Sequence, residues 1–126
     1  MRSKKFSLKS RFESFKFAFN GIGSLLKNEH NSRVHLTVAT LAIALGFILK
    51  INLIEWSLLI IVIAIVFLTE LLNSALETLA DSIDPEWNEK IMKAKDYAAA
   101  AVLISAILAV VVGGIIFIPG ILEVIL

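Results

Sequence analysis

Residues 56–81 decide the fold of this chain; they read WSLLIIVIAIVFLTELLNSALETLAD. No charged residue occurs from Trp56 to Thr69, after which acids follow at positions 70, 77 and 81. A helix that crosses a membrane needs roughly 20 mostly apolar residues. The uncharged part reaches that length only if the helix continues through Glu70 toward Glu77. The stretch therefore predicts a membrane-spanning helix whose acidic end lies at the boundary of the bilayer.

Two further segments are also long and apolar: Val34–Leu49 and Tyr97–Leu122 contain no charged residue. Of the 126 residues, 58% are hydrophobic, against roughly 45–50% in soluble proteins. A soluble domain this small could not bury so much apolar surface. We therefore predict an all-α integral membrane protein, a single domain over residues 1–126 with spans near 34–51, 54–78 and 97–118.

The basic residues indicate the orientation of these spans. Eight precede the first span and three lie between the second and third: Arg2, Lys4, Lys5, Lys9, Arg11, Lys16, Lys27 and Arg33, then Lys90, Lys93 and Lys95. Only Lys50 lies between the first two spans. Because basic residues near span ends stay in the cytoplasm, we expect the N-terminus and the 79–96 connection inside. The 51–54 turn and the C-terminus are then outside.

The segment before the first span has the pattern of an amphipathic helix over about residues 6–28. Its apolar positions alternate in spacings of four and three: Leu8, Phe12, Phe15, Phe19, Ile22 and Leu26. Basic and polar residues fall between them, which favours a helix lying in the membrane interface. A helix packed on a soluble core is the alternative, but the chain offers no such core.

Proline predicts the ends of the later helices. The second span should end before Pro85, because the residue preceding a proline is biased away from the helical conformation. Asp84 would then cap a short cytoplasmic helix that begins at Pro85. Pro119 and Gly120 are expected to close the third span.

Chemistry is concentrated at the end of the second span. At about 100° per residue, five polar side chains fall within roughly 100° of one helical face: Glu70, Asn73, Ser74, Glu77 and Asp81. An acid near the bilayer centre costs about 2.5 kcal/mol or more, and ionisable residues inside membranes are functional by default. A cytoplasm-wetted polar face, or Asn73 hydrogen-bonded between helices, is the structural alternative. For the whole stripe we favour a functional site.

Two further clusters lie on the same side of the membrane. Asn28 and Glu29 precede the first span, with Arg33 one turn after Glu29, and Lys95 and Asp96 begin the third span. Taken singly, Glu29–Arg33 would be a surface ion pair of little energy and Lys95 a membrane-interface anchor. Taken together with the stripe, these oxygen-rich side chains suit Mg²⁺ and phosphate.

Other catalytic and metal-binding patterns are excluded by composition. Cysteine is absent, which excludes disulfides, thiolate metal sites and a thiol nucleophile. His30 and His35 are five residues apart and do not share a helical face. No glycine-rich phosphate loop or Ser-His-Asp order is present, so soluble nucleotide-binding folds are excluded. The basic N-terminus is not a cleaved signal peptide, because the apolar segment starts only near residue 34.

The run from Glu70 to Glu77 has the form Glu-x-x-Asn-x-Ala-x-Glu, and Ala94-Lys95-Asp96 and an alanine run follow it. With Asn28-Glu29 and Arg33 before the first span, this pattern resembles the prokaryotic membrane diacylglycerol kinase and undecaprenol kinase family. The resemblance covers essentially the whole chain. It implies a homotrimer in the bacterial cytoplasmic membrane, with sites shared between protomers. ATP, a membrane lipid alcohol and the bilayer are the implied partners, with no nucleic acid among them.

The resemblance also implies residue roles in direct transfer of the ATP γ-phosphate to a lipid hydroxyl. Glu70 would be the general base, and Glu29 and Glu77 would hold Mg²⁺ on the ATP phosphates. Asn73, Lys95 and Asp96 would bind nucleotide or phosphate. The remaining polar residues are expected to contact substrate or support the site: Asn28, Arg33, Ser74 and Asp81.

Some positions bear on the choice of substrate and on the nucleotide contacts. At Trp87-Asn88 many family members have Tyr-His instead, so we predict no specific contacts to adenine. The Arg11-Phe12 pattern and the run Ala98–Ala101 look closer to the undecaprenol branch. Undecaprenol is therefore the expected substrate, with diacylglycerol as the alternative. The alternatives of another class are a non-enzymatic membrane scaffold and, less well supported, an ion conduit.

Overall fold

The structure is a computed structural model that describes residues 6–83 and 88–126. Its described residues form four helices in chain order: α1 (Leu8–Asn28), α2 (His30–Leu49), α3 (Leu53–Ile83) and α4 (Glu89–Ile125). The last three are long and apolar enough to cross a membrane. The prediction of an all-α protein with an N-terminal amphipathic helix and three apolar helices is confirmed.

Helix α1 presents the predicted aromatic face without covering it. Ser7 caps the helix, since its hydroxyl accepts a hydrogen bond from the backbone N–H of Ser10 at 3.1 Å. Phe12, Phe15 and Phe19 remain 63–73% exposed. An uncovered apolar face on a helix that precedes membrane spans is what an interfacial helix requires. At Glu29 the backbone becomes extended and the chain turns into α2.

The turn between α2 and α3 is built from local hydrogen bonds. Lys50 adopts a left-handed conformation at the end of α2, and the N–H of Ile51 donates to the carbonyl of Gly46 at 3.1 Å. Asn52 and Glu55 then exchange bonds, each accepting through its side chain from the other's backbone N–H, at 2.9 and 3.1 Å. These bonds satisfy backbone groups at the start of α3.

Packing within the chain is dominated by the pair α3–α4, and α2 contacts both of these helices. Leu59, Ile116 and Phe117 form the buried core near the turn between α2 and α3. The buried residues of α2 are small and recur every seven positions: Ser32, Ala39 and Gly46. Small side chains allow neighbouring helix backbones to approach closely. Most aliphatic side chains of the three long helices remain exposed, as in a chain whose surface faces lipid or other apolar surface.

Helix α4 is longer than the prediction in both directions. Asn88 caps it by accepting from the backbone N–H groups of Lys90 and Ile91, and its first turns continue directly into the third span. The prediction of a separate short helix here was wrong; Asp84 and Pro85, on which it was based, lie outside the described residues. The prediction that Pro119 and Gly120 end the span was also wrong, because α4 continues to Ile125. An apolar run follows the proline, and membrane helices tolerate an internal proline.

The length of α3 positions the polar stripe. Its 31 residues correspond to about 46 Å of helix, against a hydrocarbon core of roughly 30 Å. The last turns, which include Glu77 and Asp81, can therefore extend beyond the hydrocarbon while Glu70 remains among the packed helices.

Candidate active site

Glu70 is the buried centre of the site, with only 5% of its surface exposed. Both of its carboxylate oxygens face α2. The hydroxyl of Ser32 donates a hydrogen bond to Oε2, and Nε2 of His35 lies 3.1 Å from Oε1. Helix α2 thus presents one polar side chain to each oxygen of the buried acid.

The two oxygens of Glu70 are not equivalent. Oε2 accepts the Ser32 hydrogen bond, whereas Oε1 has no aligned hydrogen-bond donor among the described residues. Nε2 of the His35 imidazole is 3.1 Å from Oε1, but the two atoms do not form a hydrogen bond. Oε1 is therefore a buried acceptor with unused capacity, an arrangement that is costly unless a ligand completes it.

A small cavity of about 50 Å³ adjoins Glu70. Its lining combines residues from α2, α3, α4 and the turn before α2: Glu29, Asn31, Ser32, Glu70, Asn73, Ser74 and Val102. The Oδ1 atom of Asn73 is buried and also lacks a hydrogen-bond partner in the described part of the chain. The volume suits a water-sized polar group. Four residues predicted to act together, Glu29, Glu70, Asn73 and Ser74, therefore do line one cavity.

Lys95 and Asp81 form an ion pair at the C-terminal end of α3. Nζ of Lys95 donates to Oδ1 of Asp81 at 2.6 Å, linking α4 to α3. Lys95 precedes the apolar part of α4, and the hydrogen bond to Asp81 raises the pKa of its ammonium group. Lys95 therefore remains a cation beside the C-terminal end of α3. Glu77 lies on the same part of α3, two turns after Glu70.

The other predicted residues lie away from the cavity. Asn28 is exposed and donates to the hydroxyl of Ser24 at 3.1 Å. Arg33 and Asp96 are exposed, and the expected Glu29–Arg33 ion pair is absent from the salt bridges of residues 6–83 and 88–126. Glu77 is half-buried and lies seven residues from Glu70, about 10 Å along α3.

Ser32 and His35 are the residues that the sequence interpretation missed. The sequence pattern suggests His35 only as a metal ligand paired with His30, and it assigns no role to Ser32. A usable signal was present, since Ser32 shares the seven-residue spacing of Ala39 and Gly46 and therefore lies on the buried face of α2. The hydroxyls of Thr69 and Ser105, 2.9 Å apart, form a second unpredicted polar contact, between α3 and α4.

The residues present fit Mg²⁺ in their chemistry. The ion prefers oxygen ligands and usually takes one or two carboxylates together with substrate phosphates. Glu29 and the unpartnered Asn73 oxygen supply such atoms at the cavity. No group of three carboxylate or imidazole ligands exists within the described part of this protomer, so the protein alone offers a partial shell that phosphate oxygens would complete.

Comparison with known proteins places this site in context. The model of the prokaryotic diacylglycerol kinase family matches residues 16–117. The undecaprenol kinase of Bacillus subtilis is 34% identical over 108 residues, covering 86% of this chain and 88% of that protein. A diacylglycerol kinase of Haemophilus influenzae is 40% identical over 105 residues, covering 82% of this chain and 89% of that protein.

A third relative is longer than this chain. The diacylglycerol kinase of Synechocystis is 34% identical over 111 residues, which cover 87% of this chain but only 63% of that protein. All residues that line the cavity fall inside the matched range 16–117.

Proposed function

This chain belongs to the prokaryotic diacylglycerol kinase family and is a lipid kinase, and we propose that it transfers the γ-phosphate of ATP to undecaprenol. Transfer takes place at the cytoplasmic interface of a bacterial membrane, with Mg²⁺ as cofactor. The observation that carries the proposal is the buried Glu70 carboxylate, whose Oε1 atom has no aligned donor and which adjoins a polar cavity.

Glu70 acts as the general base in this mechanism. A carboxylate with a free oxygen can accept the hydroxyl proton of a lipid while the hydroxyl oxygen attacks the γ-phosphorus. Because Glu70 lies where α3 leaves the apolar core, the lipid tail never has to leave the bilayer. The removal of water by the surrounding helices strengthens the electrostatic interactions of the site.

The nucleotide is bound on the cytoplasmic side of Glu70. Glu29 and Glu77 would hold Mg²⁺ on the ATP phosphates, and the ion supplies charge neutralisation during phosphoryl transfer. Asn73 positions the reacting groups through its unpartnered oxygen, and Lys95 binds phosphate. Asp81 competes for Lys95 in the protomer, so phosphate either displaces this carboxylate or shares the ammonium with it.

The site is completed by a second protomer. Glu29 lines the cavity beside Glu70, whereas Glu77 lies about 10 Å away along α3 and outside the cavity lining. A metal held by both acids is therefore better supplied by Glu29 of one protomer and Glu77 of another. The extensive exposed apolar surface of α2, α3 and α4 supports such an assembly, which we propose to be a homotrimer.

Undecaprenol is preferred over diacylglycerol on the basis of sequence. The Bacillus subtilis relative is named an undecaprenol kinase and aligns over 86% of this chain. The run Ala98–Ala101 carries small side chains, and we propose that a long isoprenoid lies against this part of α4. For the orientation in the membrane, we propose that the N-terminus lies in the cytoplasm and the C-terminus outside, because the basic residues cluster on the N-terminal side.

A competition assay tests the substrate. Undecaprenol and diacylglycerol are presented together to the purified protein in mixed micelles with Mg²⁺ and ATP, and the two lipid phosphates are quantified by mass spectrometry. We expect undecaprenyl phosphate to form faster by about 10- to 200-fold, the range that pocket differences of about 1–3 kcal/mol produce. Equal or faster formation of phosphatidic acid would assign the chain to diacylglycerol and leave the mechanism unchanged.

A further inference from the structure

We propose that Ser32 and His35 are positioning residues for Glu70, and that they select Oε1 as the atom that receives the lipid hydroxyl proton. Ser32 engages Oε2 and so fixes the carboxylate, while His35 borders the oxygen that remains free. This inference rests on the proposed function, because it concerns the acceptor side of the same phosphoryl transfer.

Ser32 is built into the site as a buried donor. Only 1% of its surface is exposed, the lowest fraction among the buried residues of the described chain. Its hydroxyl donates to Oε2 of Glu70 across 38 residues of sequence. A hydrogen bond from a hydroxyl to a carboxylate is about twice as strong as one between neutral groups. Ser32 therefore holds the carboxylate in one orientation and occupies one of its two oxygens.

His35 lies beside the other oxygen. Its Nε2 atom is 3.1 Å from Oε1 without an aligned hydrogen bond, and its side chain is 29% exposed. The ring also lines an apolar groove of about 390 Å³ between α2, α3 and α4. On the α4 side, the cavity next to Glu70 is lined by Val102. Because Nε2 of His35 is 3.1 Å from Oε1, a hydroxyl that binds Oε1 lies beside the His35 ring, one turn along α2 from Ser32.

The proposed step moves one proton to Glu70 and one phosphoryl group to the lipid oxygen. The lipid O–H bond breaks and its proton moves to Oε1 of Glu70, while the lipid oxygen forms a bond to the γ-phosphorus of ATP. The bond between the γ-phosphorus and the β-bridging oxygen breaks, which releases ADP. Ser32 keeps its own proton throughout and remains bonded to Oε2.

The test compares two lipid alcohols that differ in acidity. One is a short-chain polyprenol analogue, and the other carries fluorine next to the hydroxyl carbon, which makes the hydroxyl proton easier to remove. Ser32→Ala should lower kcat with the ordinary alcohol about 10- to 100-fold, the usual effect of losing a hydrogen bond to a charged group. The deficit should be clearly smaller with the fluorinated alcohol, because that substrate needs the base less. The KM for ATP should remain unchanged.

Matched variants control for changes in packing. Ser105→Ala removes an equally buried hydroxyl that contacts Thr69 and not Glu70, so kcat should stay near that of the parent. His35→Leu should lower kcat with the same dependence on alcohol acidity, and His30→Leu, at an exposed position of the same helix, should not. If Ser32→Ala fails to assemble in micelles, Ser32→Cys keeps the volume with a weak donor and should show the same dependence.

The possible outcomes separate failure of this inference from failure of the proposed function. Equal deficits with both alcohols, or an unchanged kcat in Ser32→Ala and His35→Leu, would overturn the inference. A parent protein that phosphorylates neither alcohol would instead refute the proposed function. A loss of activity in Ser105→Ala as large as in Ser32→Ala would also overturn it, because the effect would then come from burial alone.

Discussion

At the scale of single residues, Glu70 is the one charged side chain that is buried among the described residues. A buried carboxylate carries a desolvation penalty of several kcal/mol even after relaxation. Ser32 compensates one oxygen with a hydrogen bond, while the contact of His35 with the other is unaligned. A group that is kept buried and only half satisfied is typical of a site where reactivity is needed.

Glu70→Gln should abolish lipid phosphorylation while ATP binding and assembly remain nearly unchanged. The substitution retains the shape of the side chain and removes the proton acceptor. General-base loss costs about 10²–10⁴-fold in rate, and we expect a decrease of at least that order in kcat. The measurement is turnover together with ATP affinity by equilibrium binding. A kcat within a few fold of the parent would exclude Glu70 as the base.

The sequence alone could predict part of this site. Glu70, Asn73 and Ser74 follow from helical periodicity because they lie on one helix within two turns. The Ser32–Glu70 contact joins residues 38 positions apart, and local periodicity contains no information on how two helices pair. The tertiary packing of α2 against α3 was needed to reveal it.

At the scale of elements, Gly46 sets how closely α2 approaches α3. A Cβ atom at this position would lie 2.8 Å from Cη2 of Trp56 and 3.1 Å from Cδ1 of Ile51. The Trp56 ring also packs against Phe47, with centroids 4.8 Å apart, and against the buried core of Leu59, Ile116 and Phe117. The hydrogen bond between Ser32 and Glu70 joins the same two helices.

Gly46→Ala should therefore destabilise the protein, by about 1–3 kcal/mol, as overpacking of a well-filled interior does. The measurement is the unfolding midpoint in detergent micelles. Gly23→Ala is the control, since a Cβ there meets nothing within 4 Å, and it should leave the midpoint unchanged or raise it slightly. An equal loss of stability in both variants would contradict the packing role of Gly46.

The helix boundaries show which element-scale signals are reliable. Long apolar runs located all three long helices, because a bilayer requires a minimum helix length. Pro119 failed as an end signal, since the apolar residues after it continue the helix and the cost of one lost backbone bond is tolerated.

At the scale of the whole molecule, only one of the two predicted metal ligands, Glu29, is among the residues that line the cavity beside Glu70. The other, Glu77, lies further along α3. The three long helices also leave many aliphatic side chains exposed. In the proposed homotrimer, Glu77 of one protomer would meet Glu29 of another.

Mixed assemblies test this arrangement. Glu29→Ala and Glu77→Ala should each be nearly inactive and should each need more Mg²⁺ for residual activity. When the two variants are co-assembled, some interfaces contain Glu29 from one protomer and Glu77 from another, and activity should partly return. The readout is lipid phosphate formed by the mixed protein relative to each variant alone. No recovery in demonstrably mixed assemblies would place both ligands within one protomer.

The most direct test of the central claim is lipid phosphate formation by the purified full-length protein in bilayer nanodiscs that contain undecaprenol. ATP labelled in its γ-phosphate is added with and without Mg²⁺, and the label in extracted lipid is counted. We predict label in the lipid only when Mg²⁺ is present, with one ADP released for each lipid phosphate. The same measurement is repeated with diacylglycerol in place of undecaprenol. If properly assembled protein labels neither lipid, the lipid-kinase function is contradicted and a non-enzymatic membrane scaffold is favoured.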